Sequence, residues 1–94
     1  MTPEGKIKAQ VKAMLKEIGA WQFWPVSNGL GAHGIPDCIA CHKGRFISIE
    51  TKAPGKKPTA LQIMQGELII AAGGVWVVID STEKVEHLRE KLNV

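Results

Sequence analysis

Between Ile35 and Ala53 the chain reads IPDCIACHKGRFISIETKA, two strand-like runs separated by Lys43-Gly44. A polar residue and a glycine between two such runs mark a two-residue hairpin loop, the commonest strand connection. The spacing predicts strands over Ile35 to His42 and Arg45 to Ala53. A loop of this length also sets the register, because His42 must face Arg45 and opposed residue numbers then sum to 87. Any fold for this chain has to be built around that hairpin.

Strand alternation assigns the faces. Cys38, Ala40 and His42 point one way, and Asp37, Ile39 and Cys41 the other. The spacing C-x-x-C-H fits haem attachment or a zinc knuckle, but the two sulfurs diverge on a strand and no second ligand pair completes a zinc site. A zinc or haem protein using Cys38, Cys41 and His42 is therefore the least favoured class, and the cysteines read as small apolar residues of a buried strand. On the other face Asp37 falls directly opposite Glu50, with Cβ atoms about 4.5–5.5 Å apart. Lys52, two residues beyond Glu50, shares that face. A one-residue slip would separate the acids.

Directly opposed carboxylates repel and ask for a cation between them. Hard oxygen donors of this kind suit Mg²⁺ or Mn²⁺, which retain waters and bind phosphates. A neighbouring ammonium can stabilise developing negative charge or orient an attacking water. Together these features fit metal-assisted phosphodiester hydrolysis.

The flanking segments supply helices. Thr2-Pro3-Glu4 combines an N-cap, a proline at the first helical position and a first-turn acid. Ile7, Val11, Met14, Leu15 and Ile18 follow at helical spacing, and Gly19 stops the run. Glu4 lies within about 20° of Val11 and Leu15 on that helix, at the centre of its apolar face. It is either a first-turn acid favoured by the helix dipole or a third acid aimed at the Asp37–Glu50 site. AWQFWPVS is extended, and NGLGAHG, Asn28 to Gly34, is a loop by composition. Thr59 and Gln62 form a capping box opening a helix that runs to Ala72. VWVVI, Val75 to Ile79, is a short buried strand. Asp80 is the expected cap of a last helix, with Glu83 completing its box.

The order α-β-β-β-α-β-α predicts one α/β domain over residues 1–94, a central mixed sheet flanked by helices, with a right-handed crossover between parallel strands. A chain of 94 residues, 45% hydrophobic, has room for a modest core, so oligomerisation is expected. The start of the sequence is polar, no apolar stretch is long enough for a bilayer, and a cytoplasmic protein with reduced cysteines and no membrane partner is expected. The net charge of +3 permits a nucleic-acid partner.

Gly34-Ile35-Pro36-Asp37, then Glu50-Thr51-Lys52 on the next strand, resembles the PD-(D/E)xK nuclease signature. With the early helical Glu4, and Thr59 and Gln62 opening the following helix, nearly the whole chain resembles the stand-alone VRR-NUC domain, the virus-type replication-repair nuclease typical of phages. The resemblance implies a restriction-endonuclease-like core. It also implies that Asp37, Glu50 and the Thr51 carbonyl hold the metal, assisted by Glu4, with Lys52 catalytic and Gln62 at the edge of the site. Gln62 has a rival reading as the capping-box residue, and the two are compatible. A homodimer cutting branched DNA, four-way (Holliday) junctions foremost, is implied as well, in a bacterial host cell if the chain is phage-encoded.

Two lysine sets are candidates for phosphate contacts: Lys8, Lys12 and Lys16 along the first helix, and Lys56 and Lys57 in the loop after the E-x-K strand. The helix set reads equally well as a solvated face. Trp21 and Trp24 could stack on bases or seal an interface, with core packing expected for at least one. The alternative to a nuclease is a nucleic-acid-binding module without hydrolysis, and the intact E-x-K argues against it.

Overall fold

The structure is a computed structural model and describes residues 1–26 and 34–93. Most of the NGLGAHG loop therefore lies outside the described residues. The elements are α1 (Pro3–Glu17), β1 (Trp21–Phe23), β2 (Cys38–His42), β3 (Arg45–Thr51), α2 (Ala60–Ala71), β4 (Val75–Ile79) and α3 (Thr82–Leu92). The four strands form one sheet in the order β1-β2-β3-β4. β1 and β3 both pair antiparallel to β2, and β4 runs parallel to β3. The sheet is mixed, as the element order requires.

The hairpin is the one the sequence specifies. Lys43 and Gly44 have φ of 52° and 77°, the left-handed pair that a tight hairpin needs to match strand twist. His42 pairs with Arg45, and the ladder continues to Cys38 opposite Ile49. The strands are shorter than the sequence reading: β2 begins at Cys38 and β3 ends at Thr51. Pro36 has no N–H for the ladder, and the Asp37 carboxylate takes the Thr51 N–H, so side-chain bonding replaces strand pairing at this end.

One face of the sheet carries the core. Ile7, Val11, Met14 and Leu15 of α1 and Val85, Leu88 and Leu92 of α3 are buried there against Cys38, Ala40, Ile47 and Ile49. Each fully buried aliphatic side chain contributes roughly 1.5–3 kcal/mol. The two helices are also tied to each other: Thr82 Oγ1 donates to Gln10 Oε1 at 2.9 Å, and Arg89 pairs with Glu17 and Glu86. Arg45 donates to the carbonyls of Lys91 and Leu92, satisfying the last turn of α3.

Helix ends follow local chemistry with one correction. Thr2 and Thr59 cap α1 and α2 as expected. α2 ends at Gly73-Gly74, where Gly73 N donates to Ile70 O and Gly74 N to Ile69 O, a Schellman closure with Gly73 at φ 97°. The cap of α3 is Ser81, whose hydroxyl accepts from Lys84 N, and not Asp80. Starting the helix one residue later removes Glu83 from the reciprocal box position and leaves Asp80 to pair with Lys84 at 3.0 Å. Among the described residues no helix is long and apolar enough to cross a membrane.

Candidate active site

The hairpin register carries Asp37 to the position facing Glu50, one step beyond the last ladder pair. Asp37 is held in place by Thr51: its Oδ2 accepts from Thr51 N at 2.8 Å and from Thr51 Oγ1 at 3.1 Å. The strand that carries Glu50 thus orients Asp37. The role of Thr51 as the donor that aims Asp37 was not in the sequence reading, and a threonine between E and K carries no signal for it.

Glu50 is only 1% exposed. Burial, followed by the repulsion of Asp37, pushes its carboxyl up to about 7, and the opposing pull of Lys52 is smaller. A buried carboxyl with that pKa sits at the edge of ionisation at neutral pH, and a nearby cation would favour its charged form. Lys52 follows directly after β3, partly buried, and its backbone N–H extends the β3–β4 ladder by donating to Ile79 O at 2.9 Å.

Gln62 contacts both Thr59 and Glu50, with different atoms. Its Oε1 accepts from Thr59 N at 2.9 Å, while its backbone N donates to Thr59 Oγ1 at 3.2 Å, completing the capping box. Its Nε2 donates to Glu50 Oε1 at 3.2 Å. The start of α2 is thereby fastened to the acid pair. Gly34, at φ 83°, packs so closely under α2 that a Cβ there would lie 2.7 Å from Leu61 O, which draws the segment leading into Asp37 against the same helix.

Other candidates lie apart from this group. Glu4 is partly buried in the first turn of α1, its carboxylate 3.6 Å from Lys8 Nζ. Among the described residues no three His, Cys, Asp or Glu side chains converge, so Glu4 does not join Asp37 and Glu50. Its ion pair with Lys8 accounts for its orientation. Lys12 lies over the Trp24 ring at 4.9 Å and Lys16 is exposed. Lys56 and Lys57 are exposed in the loop after Lys52, where Lys56 N closes a turn on Ala53 O at 3.0 Å. Cys38 is buried and Cys41 exposed, on opposite faces of β2, and burial pushes the Cys38 thiol up to about 12. The C-x-x-C-H stretch does not converge. Trp24 packs against the core, whereas Trp21 is exposed.

No family model matches the chain. It is 33% identical over 81 residues, 85% of both proteins, to "Putative nuclease p44" of Acyrthosiphon pisum secondary endosymbiont phage 1. A solved structure described as a VRR_NUC domain superposes with a TM-score of 0.82 at 24% identity, over 96% of this chain and 97% of that one.

Proposed function

The chain belongs to the VRR-NUC family of nucleases, and from that premise we propose that it is a divalent-metal-dependent endonuclease acting on structured DNA, four-way junctions foremost. The observation that carries the reading is the pair of facing carboxylates, one of them buried, with Lys52 alongside. A structural pair of this kind destabilises the fold unless a cation accompanies it.

The donor set fits a hard cation. Asp37 and Glu50 present carboxylate oxygens side by side, and the Thr51 carbonyl is the further oxygen expected beside them. Mg²⁺ or Mn²⁺ held there supplies charge neutralisation at the phosphate and a lowered pKa for attacking water. The remaining work falls to the chain. Thr51 fixes Asp37 through two hydrogen bonds, and Gln62 fixes Glu50 through one. Lys52 offers an ammonium to the non-bridging phosphate oxygens as charge builds on them, or to the water that attacks phosphorus. One P–O bond forms to water as one P–O ester bond breaks. The exposed Lys56 and Lys57, next to Lys52 in the loop, neutralise flanking phosphates. Glu4 acts on the site only if it leaves Lys8. A homodimer suits a two-fold substrate, because paired sites then meet opposing strands.

The test is cleavage of labelled single-stranded, duplex, flap and four-way DNA by wild type, Asp37→Ala and Lys52→Ala proteins. Wild type should cut the junction in Mg²⁺ or Mn²⁺, and both variants should fold without cutting. Undiminished cleavage by either variant would remove the assignment.

A further inference from the structure

β4 closes the strand order, so one of its edges has no neighbouring strand among the described residues. That edge is unprotected. Val75–Ile79 reads VWVVI, without the charge, proline or bulge that blunts an edge strand, and it pairs with β3 in unbroken register. Val75 to Val78 are each only partly buried. Lys52 N donates to Ile79 O, so the Ile79 carbonyl faces β3. Strand alternation then turns the N–H and C=O of Trp76 and Val78 outward. Among the described residues no strand or loop pairs with them.

α3 turns this edge into a groove. A cavity of about 220 Å³ opens between Val77, Val78 and Ile79 of β4 and Leu88 of α3, and the exposed Lys84, His87 and Lys91 complete its lining. The floor is apolar and the rim basic. α3 sorts its charges to produce that rim. At 100° per residue Lys84, His87, Leu88 and Lys91 span an arc of about 100°. Glu83, Glu86 and Glu90 fall outside the arc, with Glu83 the nearest at about 40° beyond His87. Lys84 meets Asp80 at 3.0 Å, whereas His87 and Lys91 make no ion pair among the described residues.

We propose that the free edge of β4 takes an extended acidic peptide of another protein as a fifth strand, with an apolar side chain in the cavity and carboxylates on the rim. Main-chain bonds to Trp76 and Val78 supply affinity, and the cavity selects among alternate side chains. The spacing follows from the two elements. Lys84 lies four residues before Leu88 and Lys91 three after it, about 6 and 4.5 Å along the helix axis. Side chains on one face of a strand recur about every 6.8 Å. An apolar residue over Leu88 therefore places acids two residues before and after it beside Lys84 and Lys91, an acid-x-apolar-x-acid pattern. DNA fits this surface less well. Phosphates ask for donors alone, whereas an open strand edge also presents carbonyls, and the floor is apolar. β4 stands between the added strand and β3, so a bound peptide leaves the Asp37–Glu50 pair open and serves to recruit the protein.

Fluorescence anisotropy with labelled peptides tests this without cleavage, so the outcome is independent of whether the protein cuts. The first probe carries glutamate-x-leucine-x-glutamate, with threonine and valine at the other positions. A second replaces both glutamates by lysine. Two more are methylated on alternate backbone nitrogens, in the two opposite phases. Wild type should bind the first probe in the micromolar range and the lysine probe at least about tenfold more weakly. Of the methylated pair, the one blocked on the side facing β4 should lose binding and the other keep it. Lys91→Glu alters an exposed side chain, so it should retain native circular dichroism and bind the acidic probe about tenfold more weakly. No binding of the acidic probe by wild type, equal binding of the lysine probe, methylated probes that behave alike, or unchanged affinity in Lys91→Glu would each overturn the proposal. So would displacement of the probe by a single-stranded oligonucleotide whose own binding falls in Lys91→Glu, which would give the groove to DNA. A wild-type dimer that Lys91→Glu reduces to the 10.2 kDa of one chain would give the edge to a second copy and overturn it as well.

Discussion

Replacing Glu50 by glutamine should make the metal-free protein more stable, and by an amount that depends on pH. The Glu50 carboxyl has its pKa raised from 4.5 to about 7, chiefly by burial and then by Asp37. Below the lower value both folded and unfolded chains carry it neutral. Between the two values the unfolded chain releases the proton and the folded chain keeps it, so stability falls as pH rises. Above the upper value the whole penalty is present. The gap, 7 − 4.5 = 2.5, at 1.36 kcal/mol for each pH unit comes to about 3 kcal/mol. Glutamine stays neutral throughout and retains an oxygen for the Gln62 amide. Urea or thermal denaturation in EDTA should therefore find the two proteins nearly equal at pH 4. At pH 8 the variant should lead by up to about 3 kcal/mol, a rise in Tm of roughly 10–20 °C for a chain of this size. Mg²⁺ should narrow the gap at pH 8 by binding the folded wild type. A stability difference that is the same at both pH values, or that favours wild type at pH 8, would refute the reasoning.

Asp37→Ala leaves the Thr51 N–H and hydroxyl without their acceptor and should cost about 1–3 kcal/mol in urea denaturation. Lys52→Ala should abolish cleavage while changing stability by less than about 1 kcal/mol, since among the described residues Lys52 makes no close ion pair and its pull on Glu50 is outweighed by burial; a large destabilisation would assign Lys52 to the fold instead. Gly66→Ala forces a methyl group into the Trp76 ring and should lower stability by about 1–3 kcal/mol, so an unchanged Tm would contradict the close packing of α2 on β4. Gly44→Ala places a side chain at φ 77° and should cost about 1–2 kcal/mol with cleavage retained, because the register survives.

The parts of this molecule that sequence reveals are those governed by period and loop length. Lys43-Gly44 sets the register, alternation sets the faces, and Asp37 therefore meets Glu50 before any coordinate is seen. The misread positions are governed by competition among local hydrogen-bonding groups. Asp80 and Ser81 both make good caps, and the choice went to Ser81 once Asp80 paired with Lys84. Glu4 fits the apolar face by angle, but a long flexible side chain in a first turn reaches Lys8 four residues on as readily as a distant strand. The hold of Thr51 on Asp37 arises only where the strand pairing ends, and no spacing encodes it. The free edge of β4 escaped for a different reason: VWVVI reads as a buried strand in one dimension, and only the strand order puts it at the end of the sheet with Val75 to Val78 partly exposed.

The central claim is that the Asp37–Glu50 pair is a cation-dependent hydrolytic centre. Its most direct test is cleavage of a labelled four-way junction by wild type and Glu50→Gln side by side, in Mg²⁺, in Mn²⁺ and in EDTA. The account predicts product from wild type with either metal, none in EDTA, and none from the folded variant under any condition. Cleavage by wild type in EDTA, or by Glu50→Gln at the wild-type rate, would contradict it.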